Sequence, residues 1–509
     1  MGDEGKILLS FAGAAVDNSG MDDSTLSTLY GPLAATDQLC YIHIPKTAGS
    51  TLTAIADAQF DVRQIAPGPY QLPALDPAAQ GRSPAELRQL LTRYRFIRGH
   101  FSHNLIRQFL TRPVYITVLR DPVDRVISLY EFFRRAAQRG IAETPEYGVL
   151  MRAAAEHDLL GFVQYPDPIV QQRTSNFQTR QLAIWDGDDA ALSAGDSQRD
   201  CFANRLQSAC ASVDRFAWVG LMEQFQASVQ LLNYRFGWYP AAEYQNLRVV
   251  THRSRREGLS PAVIEAIAQH NALDQALYDH AKTRFAAQYQ QMLKALHQHE
   301  NLQDASDPTA VQTALQQHYA RHYTATHPPE TFSGLSRKRF IYDFRQPLPG
   351  EGWHRRSGRF NGISPQDATR WSGPGPVSVL DLPLAGPLTG KADVRLTLEI
   401  EQAIAPDILD SLELTVNQHP VLLHVQSRQG NGGVLTGTIP AIREAFAQAV
   451  QRTFPSRLAL RSSHPFVRFT FRLSHTLPLN ISNPASADDR LVGFALRQLA
   501  LEPVRRWPF

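Results

Sequence analysis

The sequence predicts an α/β protein in two parts: a parallel sheet flanked by helices over residues 37–296, and an antiparallel β-sandwich over 339–509. Two strand–loop–helix units, at 38–60 and 113–135, predict the first part, and a change to short alternating runs after Phe340 predicts the second. In the first unit, QLCYIHIPKTAGSTLTAIADAQF, an apolar run over 39–44 meets Pro45 and Gly49. An amphipathic stripe then follows at Leu52, Ile55, Ala56 and Phe60. The loop brings Lys46, Thr47, Ala48, Gly49, Ser50 and Thr51 to a helix N-terminus, where backbone N–H groups and the helix dipole favour a phosphate or sulfate. It is not a Walker A loop, in which Lys follows the second Gly, because here Lys46 precedes Gly49.

The second unit, PVYITVLRDPVDRVISLYEFFRR, reads as a buried strand over 114–119. Asp121 is placed as an N-cap, Pro122 at the first helical position, and Val123, Val126, Ile127, Tyr130 and Phe133 on one apolar stripe. Arg120 then stands at the carboxyl end of the strand and Ser128 on the helix flank. Two such units on one parallel sheet face the same edge, where open α/β sheets bind ligands.

The pairing of IPKTAGST with VLRDPVDRVISLYEFF resembles the 5′-phosphosulfate loop and the 3′-phosphate motif of sulfotransferases that use 3′-phosphoadenosine 5′-phosphosulfate (PAPS). The branch it most resembles contains the heparan sulfate and uronyl 2-O-sulfotransferases and their bacterial relatives. SNFQTRQLA, WVGLMEQFQASVQLL and NALDQALYDHAKTRF extend the resemblance to about half the chain. It implies a P-loop-like sheet, PAPS as sulfuryl donor without a metal, and a hydroxyl-bearing acceptor such as a glycan. It also implies donor contacts from Lys46, Thr47, Ala48, Gly49, Ser50, Thr51, Arg120 and Ser128.

In chain order, residues 1–36 are rich in Asp, Ser and Gly and read as a loose leader. A helix capped by Ser83 is expected over 84–94, followed by YRFIRGHFSH. Hydroxyl sulfation needs a base near neutral pKa, and this segment sets imidazoles where a loop leaves a sheet edge. The 2-O-sulfotransferases carry a His-Gly-His pattern here. The resemblance puts their presumed base on His100 and replaces their first His by Arg98. A hydrogen-bonded loop histidine is the competing reading of His100. His103 reads chiefly as structural, and it stands with Arg98, Gln178 and Arg180 among the candidates bordering the acceptor. His43, beside the loop, reads as a packing or positioning residue.

A strand over 217–221 and a helix over 223–236 follow. The loop THRSRREGLS comes next, and by position it resembles the basic loop that closes over the 3′-phosphate, with Arg253 the candidate contact. Ser260 and Pro261 start a closing helical pair that ends near Leu296, and 297–338 reads as a helix plus linker. His318 and His322 share a helix face without the Glu of a zincin motif, and read as solvated rather than metal-binding. Trp353 and Trp371 read as buried packing or as a sugar-stacking platform. Residues 440–452 read as a helical interruption among the strands.

The 509 residues, 43% hydrophobic and 19% charged, describe a globular chain of two or three domains. A formal charge of +3 is too mild for a nucleic-acid partner. Cys40, Cys201 and Cys210 form neither a CxxC pattern nor an even set, which fits a reducing compartment. Residues 7–16 are too short an apolar run for a membrane helix. Animal members of the resembled family carry a transmembrane anchor, so the resemblance implies a bacterial cytoplasmic enzyme or a trimmed chain. Two competing readings remain on the residues alone. One is a P-loop nucleotide kinase or NTPase, opposed by the misplaced Lys46 and by Arg120 where an acidic Mg²⁺ ligand would stand. The other is a glycan-binding protein without turnover, opposed by the presence of Lys46, Arg120 and His100 together.

Overall fold

A computed structural model describes residues 32–66, 83–140, 145–184, 197–241, 256–326, 339–356, 368–382, 393–440, 466–482 and 488–504. Four strands, β1 (Gln38–Ile42), β2 (Phe96–Gly99), β3 (Pro113–Leu119) and β4 (Trp218–Leu221), form a sheet in the order β2-β1-β3-β4. All pairings are parallel, so Ile42, Gly99, Leu119 and Leu221 end at one edge. The central β1 is buried throughout, as its unbroken apolar run requires of a strand covered on both faces. From β1 the chain passes first to β2 on one side and then across to β3 on the other. The carboxyl ends of β1 and β3 therefore flank a topological switch point, the place where such sheets open a crevice.

The helix Gly49–Asp57 follows β1, and Pro122–Gln138 follows β3. The second is capped as the sequence predicts: Asp121 accepts the N–H groups of Val123 and Asp124, and Pro122 supplies its first residue. Its apolar stripe packs with the helices Pro145–Glu156, Leu159–Val163, Pro168–Thr174 and Pro261–His270. The helix Pro84–Leu91 carries a full capping box, Ser83 with Glu86, and is shorter than its apolar pattern predicts. The long helix Ala272–Glu300 backs the parallel sheet. Of the helix and linker expected after it, Pro308–Thr326 is helical and buries Val311, Ala314 and Leu315 in the same core.

Among the described residues from 339 onward the chain forms separate antiparallel sheets, the two largest of seven and five strands. Buried and more exposed residues alternate along Val394–Ala403 and Val467–Arg472, the period-2 pattern of strands covered on one face. One apolar cluster takes Leu396, Leu398, Leu499 and Leu501 from the larger sheet and Leu380, Leu414, Phe469 and Phe471 from the smaller. Trp353 and Trp371 are 8% and 7% exposed, and the Trp353 indole donates to Val379 O, so both serve as packing rather than as a sugar platform. Sequence periodicity missed the strand Gly432–Ile439, whose glycines hide the alternation. The helix expected over 440–452 lies, beyond Pro440, outside the described residues.

Candidate active site

The strand β1 stops at Ile42, so His43 opens the loop rather than ending the strand. Its N–H donates to Gly99 O at 2.9 Å, and its ring stacks between Tyr41, at 5.2 Å, and His100, at 4.3 Å. The Nε2 end of the ring abuts Gly49, where a Cβ would fall 1.7 Å from His43 Nε2, so any other residue there would have to displace the imidazole. Lys46 and Ala48 hold left-handed φ of 75° and 63°, strain of ~1–3 kcal/mol each of the kind that gathers at functional loops. Thr47 is buried and its hydroxyl donates to Ile44 O at 2.8 Å, closing the turn.

Ala48 then begins the helix Gly49–Asp57 with no side-chain cap. The helices starting at Pro84 and Pro122 are capped by Ser83 and Asp121, whereas those starting at Phe177, Phe225 and Pro261 also have no side-chain cap, so the first turn after Lys46 is set apart by its loop and by Lys46 rather than by the missing cap. The N–H groups of such a turn, next in the loop to Lys46, suit an anion. Lys46 Nζ lies 4.5 Å from the centroid of the Phe132 ring, which sits on the helix after β3.

Arg120 is 6% exposed and donates from Nη1 to Lys46 O at 3.0 Å. Its backbone is clamped by Gln178: Arg120 N donates to Oε1 at 3.0 Å, and Nε2 donates to Arg120 O at 2.8 Å. Ser128 is half-buried on the same helix as Phe132. On the other side of β1, His100 is exposed and its Nδ1–H donates to His43 O at 2.7 Å. A carbonyl can only accept, so this bond puts the ring proton on Nδ1 and the lone pair on Nε2. His100, Arg120 and the loop 43–51 thus meet at one edge, although 57 residues separate His43 from His100 and 74 separate Lys46 from Arg120.

The remaining candidates are placed differently. Arg98, 6% exposed, donates to Ala66 O at 2.9 Å and sets Nε 3.4 Å from Asp57 Oδ1, and burial pushes its pKa down. His103 is 5% exposed between Tyr115 and Phe216, with Nδ1 3.1 Å from Ser212 Oγ. Burial lowers its pKa to about 4. Gln178 and Thr179 are fully buried, Thr179 donating to Asp274, while Arg180 is half-buried and donates to Gln172 O. Arg253 lies outside the described residues. The pair His318 and His322 is not a solvated face: His318 stacks on Tyr234 at 4.5 Å and donates to Tyr234 O, and burial lowers its pKa to about 4.

Glu223 is a site neighbour that motif reading missed. It accepts from Asp121 N at 3.1 Å and from the Tyr278 hydroxyl at 2.7 Å, and lies 3.9 Å from Arg120 Nε. The available signal was its position, two residues past the carboxyl end of β4. Arg125, one turn into the second helix, is 1% exposed and stacks on Phe177. It is therefore a buried prop, with a pKa that burial lowers to about 10.

Residues 90–317 match the family model described as galactose-3-O-sulfotransferase. The match supports a sulfotransferase family and an enzyme that carries a sulfuryl group to a glycan-type acceptor. It takes in Arg98, His100, Arg120, Ser128, Gln178 and Arg180 and begins after the loop 44–51, so the geometry of that loop is independent of it. No curated protein matches the chain. No helix among the described residues is long and apolar enough to cross a membrane.

Proposed function

We propose that this protein transfers the sulfuryl group of PAPS to a hydroxyl of a glycan, with His100 as general base. The observation that carries the reading is that His100 and Arg120, which follow the strands on either side of β1, are both hydrogen-bonded to the loop after β1. In this reading residues 37–296 form a P-loop-like transfer domain and residues from 339 a β-sandwich. The residues at the sheet edge fit the donor: an uncapped helix start and Lys46 for the 5′-phosphosulfate, and a guanidinium and a hydroxyl, Arg120 and Ser128, for the 3′-phosphate. The donor supplies an activated sulfuryl group.

Lys46 and the first-turn N–H groups take up the negative charge that grows on the phosphate oxygen as its bond to sulfur breaks. Arg120 holds the 3′-phosphate through its forked donors, and Glu223 and Lys46 O hold Arg120 in turn. His100 receives the acceptor proton on Nε2 as the acceptor oxygen bonds to sulfur, and adenosine 3′,5′-bisphosphate leaves. His43 O keeps Nδ1 protonated and so keeps the basic nitrogen turned to this task. Arg98 and His103 are buried against internal partners, and Arg180, half-buried and donating to Gln172 O, is the more accessible candidate for acceptor recognition.

Incubation with labelled PAPS and a panel of acidic and neutral oligosaccharides, including galactose-terminated ones, tests the reading by mass analysis of the products. His100→Ala lowers turnover roughly 10²–10⁴-fold with nucleotide affinity little changed. Full turnover in His100→Ala puts the base elsewhere, and ATP binding tighter than adenosine 3′,5′-bisphosphate favours a kinase instead.

A further inference from the structure

We infer that the C-terminal unit is a positioning part of the donor site, acting through the helix Gly49–Asp57 by way of Arg356 and Asp57; the inference rests on the donor-loop reading above. The loop forms one end of that helix, and the C-terminal unit holds the other. Arg356, 5% exposed, donates from Nη1 to Asp57 O at 2.8 Å and from Nη2 to Phe60 O at 2.6 Å. Its Nε and Nη2 also reach Phe344 O at 2.6 Å and Gln346 O at 2.9 Å. One guanidinium therefore joins the last carbonyl of the helix, and that of Phe60 just beyond it, to a turn of the C-terminal unit. A cation there also complements the negative end of the helix dipole.

The Asp57 carboxylate adds a second link. Arg355 donates to Oδ2 at 2.8 Å, and Arg98 Nε lies 3.4 Å from Oδ1. Arg98 lies on β2, two residues before His100, so one buried carboxylate ties the loop-bearing helix, the strand that leads to the base, and the C-terminal unit. Backbone bonds close the seam: Leu348 N to Ala58 O at 2.7 Å and Val62 N to Arg345 O at 2.8 Å, with Ala58 packed in the C-terminal apolar cluster. A helix moves as a rod, so a shift of its held end displaces the N–H groups at the loop. A loose tether could not transmit such a shift, but a buried guanidinium with its donors committed on both sides can.

Calorimetry on the full-length chain with two probes, adenosine 3′,5′-bisphosphate and adenosine 3′-monophosphate, tests this. The ratio of their affinities isolates the 5′-phosphate, which meets the loop, from the 3′-phosphate, which meets Arg120 and Ser128. Arg356→Met and Asp57→Asn each lower the ratio, by about fivefold in Arg356→Met, the scale of a lost helix-end charge. Binding of the 3′-monophosphate stays near wild type. If Arg356→Met does not fold, Asp57→Asn, which keeps the side-chain shape, carries the test. An unchanged ratio in a folded variant, or an equal loss for both probes, overturns the inference and leaves the functional reading standing. A wild-type chain that binds both probes equally overturns the functional reading, and the inference with it.

Discussion

Arg120 shows how one side chain serves the site in two ways. Its Nη1 donates to Lys46 O, and its own backbone is gripped on both polar groups by Gln178, so the guanidinium is both a candidate ligand and a brace for the loop. Arg120→Ala removes a charge-assisted donor set and frees the Lys46 carbonyl. The expected loss in affinity for adenosine 3′,5′-bisphosphate is ~1–3 kcal/mol, read by calorimetry. Unchanged affinity removes Arg120 from the nucleotide site. At the same scale, Gly49 is set by contact rather than by backbone freedom: it lies where the His43 ring, held between Tyr41 and His100, leaves no room for a methyl group.

At the scale of elements, the segment SNFQTRQLA works mostly from below the site. Asn176 Oδ1 accepts from Leu273 N and Asp274 N and so caps the helix Ala272–Glu300, while Asp274 accepts from Gln178 N, Thr179 N and the Thr179 hydroxyl. Asp274 is fully buried and stitches the start of one helix to the start of another. Gln178, fixed at its N–H by this carboxylate, then fixes Arg120. Asp274→Ala leaves three buried donors without their acceptor and is expected to cost ~3 kcal/mol or more, seen as a lower thermal midpoint. Arg120→Ala, measured beside it, should leave the midpoint much closer to wild type. Equal midpoints for Asp274→Ala and wild type would show that water or a neighbour replaces the carboxylate at no cost.

At the scale of the whole molecule, three histidines in different parts of the fold are kept neutral by burial. His103 sits under the parallel sheet edge, His318 on the helix Pro308–Thr326, and His354 in the strand Trp353–Arg356; the pKa of each is lowered to about 4. In the unfolded chain they titrate near 6.5, so between these values the unfolded state binds more protons and stability rises with pH. Their contribution is present above pH 6.5 and lost as pH falls toward 4. The thermal midpoint is expected to fall steadily across that window, and His103→Gln to flatten part of the fall. A midpoint flat from pH 6.5 to 4 would show that these rings are protonated in the fold.

Local sequence determined the strand–loop–helix units, because apolar periodicity, the Asp121-Pro122 cap and the loop chemistry of Lys46 to Thr51 are all written within a few turns of chain. It also determined which residues stand at the carboxyl ends of β1, β2 and β3, and hence which could meet if the strands were parallel neighbours. Only tertiary structure decided how those residues are used. Arg98 and His100 are near neighbours on one strand end, yet the first turns inward to Asp57 and the second stays exposed. Two residues apart where β2 ends, they would share a face had the strand run on, so local pattern could not separate them; what separates them is a carboxylate 41 residues before Arg98 in the chain. Arg356 is the extreme case, a candidate of no motif whose partners lie 299 and 296 residues away. Side-chain periodicity reports whether a residue is covered. What covers it, and so whether a charge is a ligand or a brace, is set by packing between distant segments.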